Sequence, residues 1–138
     1  MRRLFLDTSI LLLAVGGDHP ERSACRGIVT AIHAGQIDAH ASVEAVQEYV
    51  HHRRRRSARS AVQEAVSLRG MLTLHAFDED VLDDALELMA TSAVRGRDAV
   101  HAATALRHRF DEIVSADRDF DDVQGLRRVD PARALEGP

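Results

Sequence analysis

The sequence predicts a single three-layer α/β domain, a central, mostly parallel sheet flanked by helices. Two observations carry this reading. Short apolar strand candidates alternate with longer helical stretches along the whole chain. Isolated acidic residues fall at the ends of apolar elements, and two of them, Asp7 and Asp117, lie at or just past a strand's carboxyl end, where open α/β sheets build their sites. With 138 residues and 45% hydrophobic content, one domain over 1–138 has enough apolar surface for a core.

Taken in order, Arg2 to Asp7 reads as a short buried strand through Leu4, Phe5 and Leu6. Helical signal continues to Leu13, and Gly16-Gly17-Asp18-His19-Pro20 is a turn. Pro20 is placed to open a helix running to about Ala34, with Gly35 as its C-cap. Ile37 to Ala41 is a strand candidate. Ser42 then caps the helix SVEAVQEYVHHRRRR, whose apolar face is Val43, Val46 and Val50. A further helix spans Ala58 to about Arg69, and Met71 to Leu74 is strand-like. From Asp78 to about Val94 an amphipathic helix sets Val81, Leu82, Ala85, Leu88 and Met89 against a solvated face of Asp80, Asp83, Asp84 and Glu87. Gly96 breaks the pattern. RDAVHAATALRHRF is helical and apolar almost all round, which marks a buried helix. Glu112 to Ser115 and Leu126 to Val129 are the last strands, and Asp130-Pro131 opens a short C-terminal segment.

Composition removes several classes of function. Aromatics make up 4% of the chain, too few for a base-stacking platform. Cys25 is the lone cysteine, so an internal disulfide is impossible and a thiolate zinc site has too few ligands, which suits a cytoplasmic protein. The N-terminus MRRLFLDTSILLLAVGGDHP superficially resembles a signal peptide. Asp7, Thr8 and Ser9 interrupt its apolar run, and a strand turning into a helix explains it better. No other apolar run has membrane length, so no membrane partner is expected. Net charge is −4, and all 18 basic residues are arginine. Phosphoryl transfer through an aspartyl phosphate therefore fits poorly. Such enzymes set a lysine near the phosphate, and Ser9 stands where the phosphatase motif wants a second aspartate.

Each acid has an ordinary alternative. Asp7 and Asp98 could be N-caps. Asp117-x-Asp119-x-Asp121 mimics the start of a calcium loop, but the sixth position is Asp122 and the twelfth Arg128, where that loop needs glycine and glutamate. Glu44 and Glu48 share one helix face as a solvated pair, and the first turn suits Glu44. His101, one turn past Asp98, is more often a packed or hydrogen-bonded histidine than a ligand. Together, the acids without a Cys or His cluster beside them match hard Mg²⁺ or Mn²⁺ over zinc.

At these residues the chain resembles the PIN-domain family, in particular its VapC toxin branch. LFLDTSILL resembles the first motif. ASVEAVQEYV resembles the second, whose acid lies six residues past the strand-ending Ser or Thr, which selects Glu48 over Glu44. GRDAVHAATAL resembles the third, with Asp98. IVSADRDFDDVQGLRRVDP resembles the fourth, with Asp117 as the main acid and Asp119 as an auxiliary one. The resemblance implies a Mg²⁺- or Mn²⁺-dependent endoribonuclease with Asp7, Glu48, Asp98 and Asp117 as catalytic and metal-binding residues. It also implies a homodimer and a small VapB-like antitoxin that blocks the acidic site. The alternative is a catalytically silent PIN-like module that binds RNA or a partner.

His51-His52-Arg53-Arg54-Arg55-Arg56 follows the glutamate helix. Solvated surface is the ordinary role of such a run. If the helix continues, Arg55 lies two turns beyond Glu48 on the same face. Arg54 and Arg55, with Arg97 beside Asp98, are thus candidate phosphate contacts for RNA, and the same charges would suit an acidic antitoxin segment.

Overall fold

The computed structural model describes residues 1–137. Its strands are β1 (Arg2–Phe5), β2 (Ile37–Ser42), β3 (Thr73–His75), β4 (Glu112–Val114) and β5 (Arg127–Val129). Its α-helices are α1 (Thr8–Val15), α2 (Arg22–His33), α3 (Val43–Arg53), α4 (Ala58–Met71), α5 (Glu79–Thr91), α6 (Gly96–Arg107) and α7 (Pro131–Glu136), with a 3₁₀ turn over Arg118–Asp122.

All strand pairings are parallel. β1 pairs with β2 and β2 with β3, while β4 pairs with β5. A single parallel bridge from Leu6 to Val114 joins the two sets, giving the order β3-β2-β1-β4-β5. The chain therefore builds outward from β1 to one side, then returns to build on the other. Between β1 and β4 lies the switch point where such sheets open a crevice.

Strand alternation splits the core into two layers. Leu4, Leu6, Ile37, Ala39 and Val114 face Ile10, Leu11, Cys25, Ile28 and Ile32 of α1 and α2. Phe5 and Ile113 face the other way, onto Val81, Ala85, Phe120 and the alanines of α6. The buried helix expected from RDAVHAATALRHRF is α6, in which Ala99 to Ala105 are all buried. Its small side chains let it pass close beneath the sheet and against α5.

Several boundaries differ from expectation. α2 begins at Arg22 rather than Pro20, and α4 runs through Met71, so β3 starts at Thr73. Gly96 does not interrupt a helix. It begins α6, in a left-handed conformation with φ +50° that glycine tolerates. α3 buries Ala45 and Tyr49, not the predicted Val43, Val46 and Val50. Those valines, with Val62 and Val66 of α4, line an open apolar groove between the two helices. The helix is rotated because Tyr49 is drawn inward, where its hydroxyl donates to Glu64 while its ring joins the α1–α2 core.

Ala102 is fully buried in the packed layer below the sheet. Ala102→Leu is expected to lower unfolding free energy by about 1–3 kcal/mol through overpacking, read by urea unfolding. An unchanged midpoint would contradict the close packing of α6.

Candidate active site

Four connections converge at the carboxyl ends of the strands. The β1–α1 junction carries Asp7, α3 carries Glu48, the first turn of α6 carries Asp98, and the segment after β4 carries Asp117 and Asp119.

Asp7 stands at the N-cap position of α1, but its side chain makes no capping bond. Its backbone N–H donates to the Val114 carbonyl at 3.0 Å, extending the β1–β4 bridge. The carboxylate is instead buried, accepting from the Ser115 hydroxyl at 2.8 Å. Ser115 also accepts from the Asp117 N–H at 2.9 Å, so one hydroxyl spaces two of the predicted acids. Asp98 is the third residue of α6 rather than its N-cap, which is Arg95. Asp117 caps the 3₁₀ turn, its carboxylate accepting from the Asp119 N–H at 2.9 Å.

Asp98, Asp117 and Asp119 each offer a carboxylate oxygen, all within 4.8 Å of one another. Asp119, expected only as an auxiliary, thus sits in the tightest group, and Asp7 and Glu48 lie outside that trio among the described residues. An all-carboxylate donor set suits a hard divalent cation. Electrostatics tell the same story. Burial, the Asp7 charge and the Asp117 carboxylate push the Asp98 carboxyl up to about 7. The acids crowd so closely that folding favours the protonated form of Asp98.

Of the two α3 glutamates, Glu48 points inward. It accepts from the Thr8 hydroxyl at 2.7 Å, and its Oε1 lies 3.2 Å from Nε2 of His101. Burial acts to raise its carboxyl, but the bonds to His101 and Thr8 hold it below the usual carboxylate range. Glu44 instead faces Arg97 of α6 at 3.8 Å. His101 is wholly buried. Desolvation alone would lower its pKa, yet the Glu48 bond and the Asp7 charge raise it.

α3 ends at Arg53, which pairs with Glu64, and Arg54 is the C-cap. Arg54 to Arg56 form an exposed turn, so the helical phase linking Glu48 to Arg55 does not hold. The exposed His51 imidazole is held below its ordinary range by the Arg54 charge first, then by desolvation and by the charges of Arg97, His52 and Arg55. Thr8, Ser115 and His51 carried no distinctive signal in the sequence. Thr8 entered only as one of the polar residues that interrupt the N-terminal apolar run.

The PIN domain profile matches residues 4–126. Ribonuclease VapC7 of Mycobacterium tuberculosis is 35% identical over 139 aligned positions, covering 95% of this chain and 93% of that protein. The structure of VapBC-1 from nontypeable Haemophilus influenzae matches with a TM-score of 0.71 at 14% identity, over 94% of this chain and 98% of the other. VapC20 of Mycobacterium tuberculosis, a sarcin-ricin loop cleaving toxin, matches with a TM-score of 0.70 at 16% identity, over 88% and 95%. These two structures share the fold. The chain belongs to the PIN domain family, and within it to the VapC branch.

A carboxyl raised on folding binds its proton more tightly in the native state. Its contribution to stability therefore falls as pH rises from its ordinary value to about 7. Without added metal, Asp98→Asn is expected to melt roughly 2–4 °C above the parent at pH 8. The gap should narrow by pH 5, and a gap of equal size at both pH values would contradict the carboxylate repulsion.

Proposed function

We propose that this chain is a divalent-cation-dependent endoribonuclease, the toxin of a VapBC-type toxin–antitoxin pair. The observation that carries this reading is the trio of carboxylate oxygens within 4.8 Å at the sheet's switch point, in a chain 35% identical to a protein named a ribonuclease. Asp98, Asp117 and Asp119 would hold Mg²⁺ or Mn²⁺, with Asp7 and Glu48 flanking them. A cation held there supplies Lewis acidity, activating a water and neutralising charge on the phosphodiester being cut.

The chain's own residues prepare that site. A cation bound by Asp98, Asp117 and Asp119 would favour the ionised form of Asp98, its charge offsetting the repulsion from Asp7 and Asp117. Ser115 keeps Asp7 and Asp117 at a fixed separation. Arg97, beside Asp98, and the exposed Arg54 and Arg55 present cations where an RNA backbone would approach. The same charges suit an acidic segment of a VapB-like antitoxin. Assembly with such a partner is proposed from relatives solved as toxin–antitoxin complexes, among them VapBC-1. A homodimer and a cytoplasmic setting complete this reading.

RNA incubated with the protein and Mg²⁺ is expected to be cut. Excess EDTA or Asp98→Asn should each reduce the rate by about 100-fold or more. Activity surviving both would overturn the mechanism. Mn²⁺ binding with no cleavage of any RNA would favour a silent RNA- or partner-binding module.

Removing two phosphate contacts should weaken RNA binding and flatten its salt dependence. For Arg54→Ala combined with Arg55→Ala, the slope of log affinity against log salt should fall by up to about 1.4 on single-stranded RNA. An unchanged titration by fluorescence anisotropy would remove this turn from the RNA surface.

A further inference from the structure

His101 has no place in the aspartate trio, yet it lies within the site. It is wholly buried on α6, one turn past Asp98. Its Nε2 stands 3.1 Å from Thr8 Oγ1, 3.2 Å from Glu48 Oε1 and 3.8 Å from Asp7 Oδ1. The Thr8 hydroxyl donates its own proton to Glu48 Oε1. Every oxygen facing Nε2 is therefore an acceptor, and Nε2 must carry a hydrogen. Thr8 and His101 thus deliver two donors to the same carboxylate oxygen. Among the described residues, no hydrogen bond engages the other oxygen, Oε2.

The opposite side of the ring argues against a packing role. Nδ1 is buried and has no hydrogen-bond partner among the described residues. A buried polar atom left unpaired is destabilising. An apolar side chain of similar volume would fill this space without that defect. Only one side of the ring is engaged, and what the histidine supplies is one directed N–H aimed at Glu48.

We propose that His101 is a positioning residue, whose Nε2–H, together with the Thr8 hydroxyl, pins Oε1 of Glu48 and leaves Oε2 as the oxygen that serves the cation site. This deepens the nuclease reading and rests on it. Glu48 sits on α3, whereas the trio is built from α6 and the segment after β4. The clamp is thus a direct tie between the glutamate helix and the helix that carries Asp98. Without it, Glu48 would be held by the Thr8 hydroxyl alone, with no tie to α6 through its carboxylate.

His101→Leu and His101→Gln test this. Leucine removes the N–H, while glutamine can return a donor near the position of Nε2. Both are compared with the parent by thermal melting, by Mn²⁺ calorimetry on the metal-free protein, and by kcat and KM on RNA. For His101→Leu we expect a folded protein that melts somewhat below the parent because Glu48 loses a donor, so binding and rates are measured well below its melting temperature. Its Mn²⁺ affinity and kcat should each fall by about 10–100-fold, with KM little changed. His101→Gln should recover most of both losses. The proposal is overturned if His101→Leu binds Mn²⁺ and turns over like the parent. It is equally overturned if glutamine is as impaired as leucine while both variants stay folded, or if the leucine losses merely track unfolding. Should the parent itself fail to cut RNA, the nuclease reading falls. The clamp would then be judged on Mn²⁺ affinity alone, where the same leucine loss and glutamine recovery support it and their absence overturns it.

Discussion

Between β1 and β4 the sheet is held by one parallel bridge, Leu6 to Val114, and by the hydrogen bonds just beyond it. The Asp7 N–H reaches Val114, the Ser115 hydroxyl reaches the Asp7 carboxylate, and the Ala116 N–H reaches Ser9. The two strand sets, and with them the two halves of the chain, meet at this seam. Its last members are also site residues. Moving β4 by one residue would shift Asp117 and Asp119 relative to Asp7 and would turn Val114 out of its core layer. The packing that fixes the register therefore also fixes the spacing of the acids.

That arrangement sets local stability against function. Packing alone would not bring Asp7, Asp98, Asp117 and Asp119 together at one end of a sheet. The α6 helix is the element that overcomes their repulsion. Seven consecutive buried residues anchor it against the sheet and α5, and its first turn presents Asp98 with little freedom to withdraw. Folding shifts the Asp98 carboxyl toward its protonated form, which lessens that repulsion. Local weaknesses of this kind, set within an otherwise well-packed core, are expected where a protein has committed residues to binding.

Much of this was legible in the sequence, for identifiable reasons. Alternating elements predicted a parallel sheet, and an apolar run on every face of one segment predicted the burial of α6. Asp7 and Asp117 were placed by the general rule that sites form at strand carboxyl ends. What escaped depended on rotation and on partners distant in sequence. Three valines on α3 look like a core face, but Tyr49 turned the helix so that Ala45 and Tyr49 face inward and the valines line an open groove. Helical phase tied Arg55 to Glu48 only on the assumption that the helix continued, and it stops at Arg53. Glu48 and Glu44 were indistinguishable by periodicity. The structure separates them through Thr8 and His101, residues 40 and 53 positions away, whose hydrogen bonds no local pattern could reveal. Ser115 escaped for the same reason, since a serine at the end of a strand is ordinary until Asp7 is set beside it.

The outer strands have a consequence of their own. β3 and β5, at the two borders of the sheet, are each three residues long. A foreign strand laid along either border would find only a few open backbone groups to bond with, and beside β5 it would meet Arg127 and Arg128. Extending the sheet from one molecule to the next is therefore a poor route to association. Side chains on the helices and loops offer the larger recognition surface, one that can diverge while the buried sheet stays the same.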